Sequence, residues 1–379
     1  MPGFAVAEFE ARRDRAQALM AQAGLGALLL TTEPELRYYT GFLTQFWESP
    51  TRPWFLVLPA SGDPVAVIPS IGAALMAQTW LHDIRTWRAP DLGDDGVSLL
   101  IDTLKEVAGG GPVGMAHHME SHARMPLASL DAVRAAVQLR DDARITQRLR
   151  MVKSPAELDK IRATCAVADR AFARVPEIAR TGVPLAEVFR RFQMLLLEEG
   201  ADSVAYLAGA SGADGYSDVI SPATQAPLAP GDVLMLDTGA VRDGYFCDFD
   251  RNFAVGPPSA LARDTHKRLI EAVQAGFDAA RPGATAAALF GAMDKVCTGG
   301  AGGSDAGRLG HGLGMQLTEW PSLIPSEHEV LTPGMVLTLE PGIETRDGKM
   351  MVHEENIVIT DGGAQFLNTP AGPEMVVLA

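Results

Sequence analysis

Cysteine is scarce in this 379-residue chain: Cys165, Cys247 and Cys297 are odd in number and share no Cys-x-x-Cys spacing. A disulfide framework and a thiolate zinc site are therefore not expected. Basic residues are outnumbered, 32 Lys and Arg against 47 Asp and Glu, for a formal charge of -15. Such a chain offers no general basic footprint for a phosphate backbone, so nucleic acid is not an expected partner, and the acidity reads as a solvated surface. Long apolar runs are missing too. No window offers eighteen apolar residues without charge, which argues against a membrane span. The opening MPGFAVAEFEARRDRAQALMAQAG is charged throughout and has neither the apolar core nor the cleavage site of a secretory signal. A cytoplasmic protein is expected, and no repeat of solenoid period is visible.

What is present is ordinary globular text, 47% hydrophobic, long enough for two domains. Residues 8–23 read as an amphipathic helix ended by Gly24, and 27–30 as a short buried strand. Residues 54–58 and 64–68 read as strands joined by a turn at Gly62-Asp63. The text then changes at RLRMVKSPAELDKIRAT, where Ser154-Pro155-Ala156-Glu157 has the form of a capped helix start. The division is placed just before it, giving an α/β domain over 1–147 and a second domain over 148–379. In the second domain helices are expected over 155–180, 185–199, 259–280 and 285–298, with strands around 233–237, 245–254, 336–340 and 351–359.

Chemistry concentrates in two hairpins of the second domain. In GDVLMLDTGAVRDGYFCDFDRNFAVG two apolar strands flank a turn at Arg242-Asp243-Gly244. A turn centred on Arg242-Asp243 sets Asp237 opposite Asp248, whereas one centred on Asp243-Gly244 sets it opposite Asp250. Facing residues hold their Cβ atoms about 4.5–5.5 Å apart, where two carboxylates repel unless a cation lies between them. The construction recurs in VLTLEPGIETRDGKMMVHEENIVIT, where Glu340 and Glu354 stand nearly equidistant from the Asp347-Gly348 turn. Between the hairpins, GRLGHGLGMQLTEWPS places His311 among glycines that allow close backbone approach. Carboxylates inside apolar strands plus one imidazole form a mostly hard donor set, suited to two divalent ions, manganese first, with cobalt or zinc as alternatives.

These residues carry a resemblance. LDTGAVRDGYFCDFDR, GHGLG, LTLEPGI and VHEENIVIT resemble, in order, the four metal-site motifs of the pita-bread metallopeptidases, the family of aminopeptidase P, prolidase, methionine aminopeptidase and creatinase. The resemblance runs from about residue 148 to the C-terminus. It implies a pita-bread catalytic domain with Asp237, Asp248, His311, Glu340 and Glu354 as metal ligands; the eleven-residue spacing of the aspartates selects Asp248, and Asp250 falls where the family usually has threonine. It further implies that a hydroxide between two ions attacks a carbonyl, with Glu340 as proton acceptor and donor. LRYYTGF at 36–42 resembles the creatinase-type N-terminal domain and points to the aminopeptidase P, prolidase and creatinase branch. A homodimer acting on short peptides or other small molecules is then expected, with Phe46, Trp47, Arg52 and Trp54 as candidates for lining a partner's site.

The chain also departs from that branch. A histidine usually seventeen residues before the first aspartate is here Ile220, and the catalytic histidine seven residues after the metal histidine is Thr318. The arginine often found two residues before the last glutamate is Val352, while His353 should point to the other side of the strand. The leading expectation is Xaa-Pro dipeptide or aminopeptide hydrolysis. The alternative is a C–N hydrolase or lyase reaction on a small osmolyte-type substrate, and a non-catalytic binding module ranks third.

Overall fold

The computed structural model describes residues 3–47, 52–305 and 307–379. It divides into two compact units, Met1–Arg150 and Met151–Ala379. A short helix, Ile145–Met151, runs through the point where the sequence changes character.

The first unit is built on a six-stranded mixed sheet in the order Asp83–Trp87, Val65–Pro69, Phe55–Pro59, Ala27–Leu30, Val113–Met115, Leu139–Asp141. Its apolar strands need cover on both faces. On one of them Leu100 and Leu104 of the helix Val97–Ala108 pack against Leu29, Val57 and Val67. The N-terminal helix, Val6–Ala23, stops at Gly24, whose φ of 66° suits glycine. Two of the expected lining residues prove to be interior. Trp47 and Trp54 are buried with ring centroids 5.7 Å apart and pack on Phe42, because large aromatics gain most by leaving water. Phe46 is exposed, with the Arg52 guanidinium 5.0 Å from its ring centre.

The second unit opens with the helix Pro155–Ala173. Its first turn is closed reciprocally: the Glu157 backbone N–H donates to Ser154 Oγ (3.3 Å) and Ser154 N–H to Glu157 Oε2 (2.9 Å). This helix and Leu185–Glu198 pack on a sheet ordered Val376–Leu378, Phe249–Val255, Asp232–Arg242, Ser203–Ala213. A second sheet runs Glu319–Ser322, His311–Gly312, Val336–Leu339, Glu355–Thr360, Gly363–Phe366. Against it pack the helices Ala260–Ala279 and Ala286–Cys297, whose Val273, Leu289 and Met293 share a core with Leu337, Leu339, Ile357 and Ile359. Each sheet thus carries one of the acidic hairpins.

Two turns fix the registers. Asp243 and Gly244 both have positive φ (54° and 80°), the backbone that lets a two-residue turn follow the strand twist, while Asp347 and Gly348 (55° and 72°) sit with Arg346 in a three-residue loop closed by Thr345 N–H donating to Lys349 C=O at 2.8 Å. The first hairpin therefore pairs Asp237 with Asp250, not with Asp248. A register centred on Arg242-Asp243 would have required positive φ at arginine, and Gly244 takes it instead. In the second, Leu339 pairs with Glu355 and Gly342 with Val352, so Glu340 and Glu354 are the next facing residues.

Candidate metal centre

Asp248 does not need to face Asp237 to reach the centre. In the pairing that sets Asp250 against Asp237, Asp248 is two residues along and on the same face of the ribbon. It lies in the break between Tyr245–Phe246 and Phe249–Val255, where Asn356 holds its backbone: Asp248 N–H donates to Asn356 Oδ1 (3.0 Å), and Asn356 Nδ2 returns a bond to Asp248 C=O. Glu354 sits in a second break, between Met350–Val352 and Glu355–Thr360. Ligand atoms of Asp248, His311 and Glu354 come within 4.8 Å of one another, all three residues being buried. Asp237 and Glu340 lie outside that tight group, though their charges act on Asp248.

His311 is placed by its glycines. A Cβ on Gly310 would fall 2.2 Å from Thr338 C=O and one on Gly312 2.3 Å from Trp320 C=O, so only glycine lets this strand lie between its neighbours. His311 N–H donates to Thr338 Oγ1 (3.1 Å) and its Nδ1 lies 2.8 Å from Gly312 C=O. A carbonyl only accepts, so Nδ1 carries the hydrogen and Nε2 offers a lone pair. That lone pair points at Asp248 Oδ2, 3.4 Å away. Burial, helped by the Arg308 charge, lowers the imidazole to about 4, so it stays neutral and cannot itself neutralise the carboxylate.

The carboxylates show the complementary deficit. Asp237 Oδ1, Asp248 Oδ1, Asp250 Oδ2 and Glu354 Oε1 are buried without a hydrogen-bond partner. Burial first, and mutual repulsion second, hold Asp237, Asp248 and Glu354 well above the usual carboxylate range, and burial pushes Glu340 up to about 7. Several acceptors and one imidazole lone pair converge where few donors do. These residues fit divalent cations, which would satisfy the unpartnered oxygens and remove the repulsion.

Beside the centre lies a network that composition alone did not reveal. His353 Nδ1 is 3.0 Å from Asp250 Oδ1, its Nε2 is 2.9 Å from Glu355 Oε1, and Arg251 Nη2 is 3.1 Å from Glu355 Oε2. With a carboxylate at each nitrogen the ring is an imidazolium: burial works against its charge, but the two partners raise it to about 9. His353 thus points away from Glu354, as strand alternation anticipated, and it neutralises Asp250, the extra carboxylate that faces Asp237.

Ile220, at the position of one missing histidine, is 82% exposed on a surface loop. Thr318 is half-buried, and its hydroxyl accepts from Arg308 Nη2 at 3.3 Å. Val352 lies on the strand Met350–Val352, with its C=O bound by Asn252 Nδ2 (2.7 Å). Two residues escaped the sequence reading. Tyr206, on the strand Ser203–Ala213 beside Asp237's strand, acts on the Asp237 carboxyl and lowers it against burial; a register shift between Val204 and Tyr206 re-aims its side chain. That strand, rich in Ala, Gly and Ser, has little β-propensity to announce it. Arg308, an exposed residue three before His311, could have been noticed as a cation next to an acidic centre.

Residues 159–361 match the model of "Metallopeptidase family M24" and residues 12–152 that of the "Creatinase/Prolidase N-terminal domain". The class is therefore defined: the chain belongs to the M24 metallopeptidases, with a creatinase-type domain preceding a pita-bread catalytic domain. Among its relatives is the "Probable dipeptidase PepE" of Mycobacterium tuberculosis, 34% identical over 375 residues, 96% of this chain and 95% of that protein. The "Xaa-Pro dipeptidase" of Pyrococcus furiosus is 31% identical over 222 residues, 58% of this chain and 63% of that protein. The crystal structure of dipeptidase PepE from Mycobacterium ulcerans superimposes with a TM-score of 0.85 at 30% identity, covering 99% of each chain. No helix among the described residues is long and apolar enough to cross a membrane.

Proposed function

We propose that the chain is a dinuclear metal-dependent dipeptidase of the Xaa-Pro type, with Asp237, Asp248, His311, Glu340 and Glu354 holding two divalent ions. The observation that carries this reading is the set of buried, unpartnered carboxylate oxygens around the His311 lone pair. The relatives named dipeptidase and Xaa-Pro dipeptidase support the substrate class. When bound, the ions supply Lewis-acid activation of water and polarisation of the scissile carbonyl.

The chain's own residues supply the rest. Glu340 would take a proton from the attacking water and pass it to the departing amine. Water adds to the carbonyl carbon, the C–N bond breaks, and the products are the N-terminal amino acid and proline, whose freed nitrogen takes the proton. Tyr206 favours the charged form of Asp237 against burial. Manganese is the proposed ion, with a homodimer in the cytoplasm as the working form and the catalytic unit beginning near residue 148. Thr318 keeps its place beside the substrate without an imidazole's donor.

The test is a panel of Xaa-Pro dipeptides, other dipeptides, longer peptides and small osmolyte amides, assayed with manganese, cobalt and zinc beside metal analysis. Proline-dipeptide turnover with close to two ions per chain is expected. Turnover of osmolyte amides alone would favour a non-peptidase C–N reaction. Well under one ion per chain in manganese would favour a binding module.

A further inference from the structure

A second group of metal-ligand side chains lies in the first unit. The strands Val113–Met115 and Leu139–Asp141 run parallel with Met115 beside Asp141, so both end at the same side of the sheet. Carboxyl ends of parallel strands are where open α/β sheets gather ligands. The chain leaving the first strand reads MAHHMESHARM and holds His117, His118 and His122, three of the chain's eight histidines within six residues. Such short histidine-rich tracts are a compositional mark of metal binding. The chain leaving the second strand carries Asp141 and Asp142.

Folding brings the two together. Ligand atoms of His118, Asp141 and Asp142 all lie within 4.8 Å of one another, and His118 Nε2 is 2.8 Å from Asp141 Oδ1. Backbone bonds hold the aspartates: Asp141 Oδ1 accepts from Ala143 N–H (2.7 Å), Asp142 Oδ1 from Arg144 N–H (3.0 Å), and Asp142 N–H donates to Met115 C=O (3.2 Å). Asp142 is only 8% exposed. Among the described residues its Oδ2 accepts no hydrogen bond, and no Lys or Arg lies within 4.0 Å of either carboxylate. Burial pushes the Asp142 carboxyl up to about 6 against the Arg144 N–H, with Glu35 and Asp141 adding repulsion.

A surface ion pair between His118 and Asp141 would be complete without a third member. Asp142 is that third member, a buried carboxylate with a spare oxygen, and its charge calls for a cation that no neighbouring side chain supplies. Donors bound about 2.0–2.2 Å from one ion stand roughly 3 Å apart, so an ion can replace the hydrogen between His118 and Asp141 with little movement. Two carboxylates balance a divalent charge, and the imidazole favours zinc over calcium or magnesium. We propose that His118, Asp141 and Asp142 form a zinc site in the first unit, with water completing the coordination. The ion ties the loop after Val113–Met115 to the end of Leu139–Asp141, so its binding stabilises that unit.

The experiment counts zinc on the full-length chain by metal analysis after equilibrium dialysis. The parent carries Asp237→Asn and Asp248→Asn, which deprive the second unit's carboxylate cluster of two anionic ligands. The parent is expected to hold one more zinc than its Asp142→Asn or His118→Ala derivative. Asp142→Asn weakens that ion by more than the roughly 10- to 100-fold that loss of an outer-shell partner costs. His118→Ala weakens it by at least about tenfold, a smaller loss because His117, its ring 6.0 Å from that of His118, supplies a less well placed imidazole. His82→Ala, which removes an exposed histidine of the same unit, leaves the count unchanged. Zinc raises the thermal midpoint of the parent and not of the Asp142→Asn protein, and the midpoints in chelator show that each variant is folded. Should Asp142→Asn fail to fold, the half-buried His118 decides alone. Equal zinc in the parent and both derivatives, an equal loss in His82→Ala, or a parent that holds no zinc overturns the assignment.

Discussion

Asp250 stands directly opposite Asp237 in the antiparallel pair, and its Oδ1 is held 3.0 Å from His353 Nδ1. The facing aspartate is thus neutralised from the side, while Asp248, two residues earlier, keeps an unpartnered oxygen near His311 and Glu354. Asp248→Asn should therefore lose metal, and so should Asp237→Asn. Asp250→Thr should retain wild-type stoichiometry at some cost in stability. Metal analysis after dialysis separates them, and loss confined to Asp250→Thr would make that residue the ligand.

His353 gives the fold a pH dependence. Its folded value of about 9 lies above the ordinary 6.5, so its contribution is full below about 6.5 and disappears as pH rises through 9. Glu355 behaves oppositely: burial would raise it, but Arg251 and His353 hold it at about 2, so its contribution is present above about 4.5 and lost on acidification. His266, with its ring 6.0 Å from His353, is depressed to about 4 by burial first and by His353 second, and does not titrate in the alkaline window. His353→Gln should cost several kcal/mol near pH 6, on the order of 3–5 for an opened buried ion pair. The deficit should narrow toward pH 9.5, read from urea midpoints in chelator. A constant deficit from pH 6 to 9.5 would mean the ring is not charged.

Metal binding should compete with protons. Glu340 keeps a proton up to about pH 7 because burial disfavours its charge, and a cation must displace it. Affinity should rise between pH 6 and 8, and binding at pH 6.5 should release protons, measured by calorimetry in two buffers of different ionisation heat. Identical heats in both buffers would contradict the protonated state.

Lys153 and Glu319 form a buried ion pair at 3.1 Å, and the same glutamate accepts from the Met315 and Gln316 N–H groups (2.8 and 3.2 Å). This pair clamps the loop that follows His311. Lys153→Met leaves the Glu319 charge without its ammonium, and a loss of about 3–5 kcal/mol is expected from chemical denaturation. A variant as stable as wild type would show that the backbone donors suffice.

Much of this was legible beforehand. The helix cap at Ser154, the two Asp-Gly turns and the Glu340/Glu354 pairing are local matters, set by side chains that bond their own turn and by glycine's access to positive φ. The facing carboxylates of the two hairpins were expected from acidic residues placed where apolar strands would bury them, whereas Asp248 rather than Asp250 was chosen on the family resemblance alone.

Three-dimensional packing decided the rest. The break at Asp248 depends on Asn356, 108 residues away, and the charge on His353 depends on Asp250, 103 residues away. Whether Trp54 is core or surface turned on which aromatics met it. A sequence specifies which groups can titrate, bend or bond within a few residues, because those energies are local. Burial, register and partners across a sheet arise from neighbours that only folding supplies, so the neutralised Asp250 and the lone pair of His311 became visible in the tertiary structure alone.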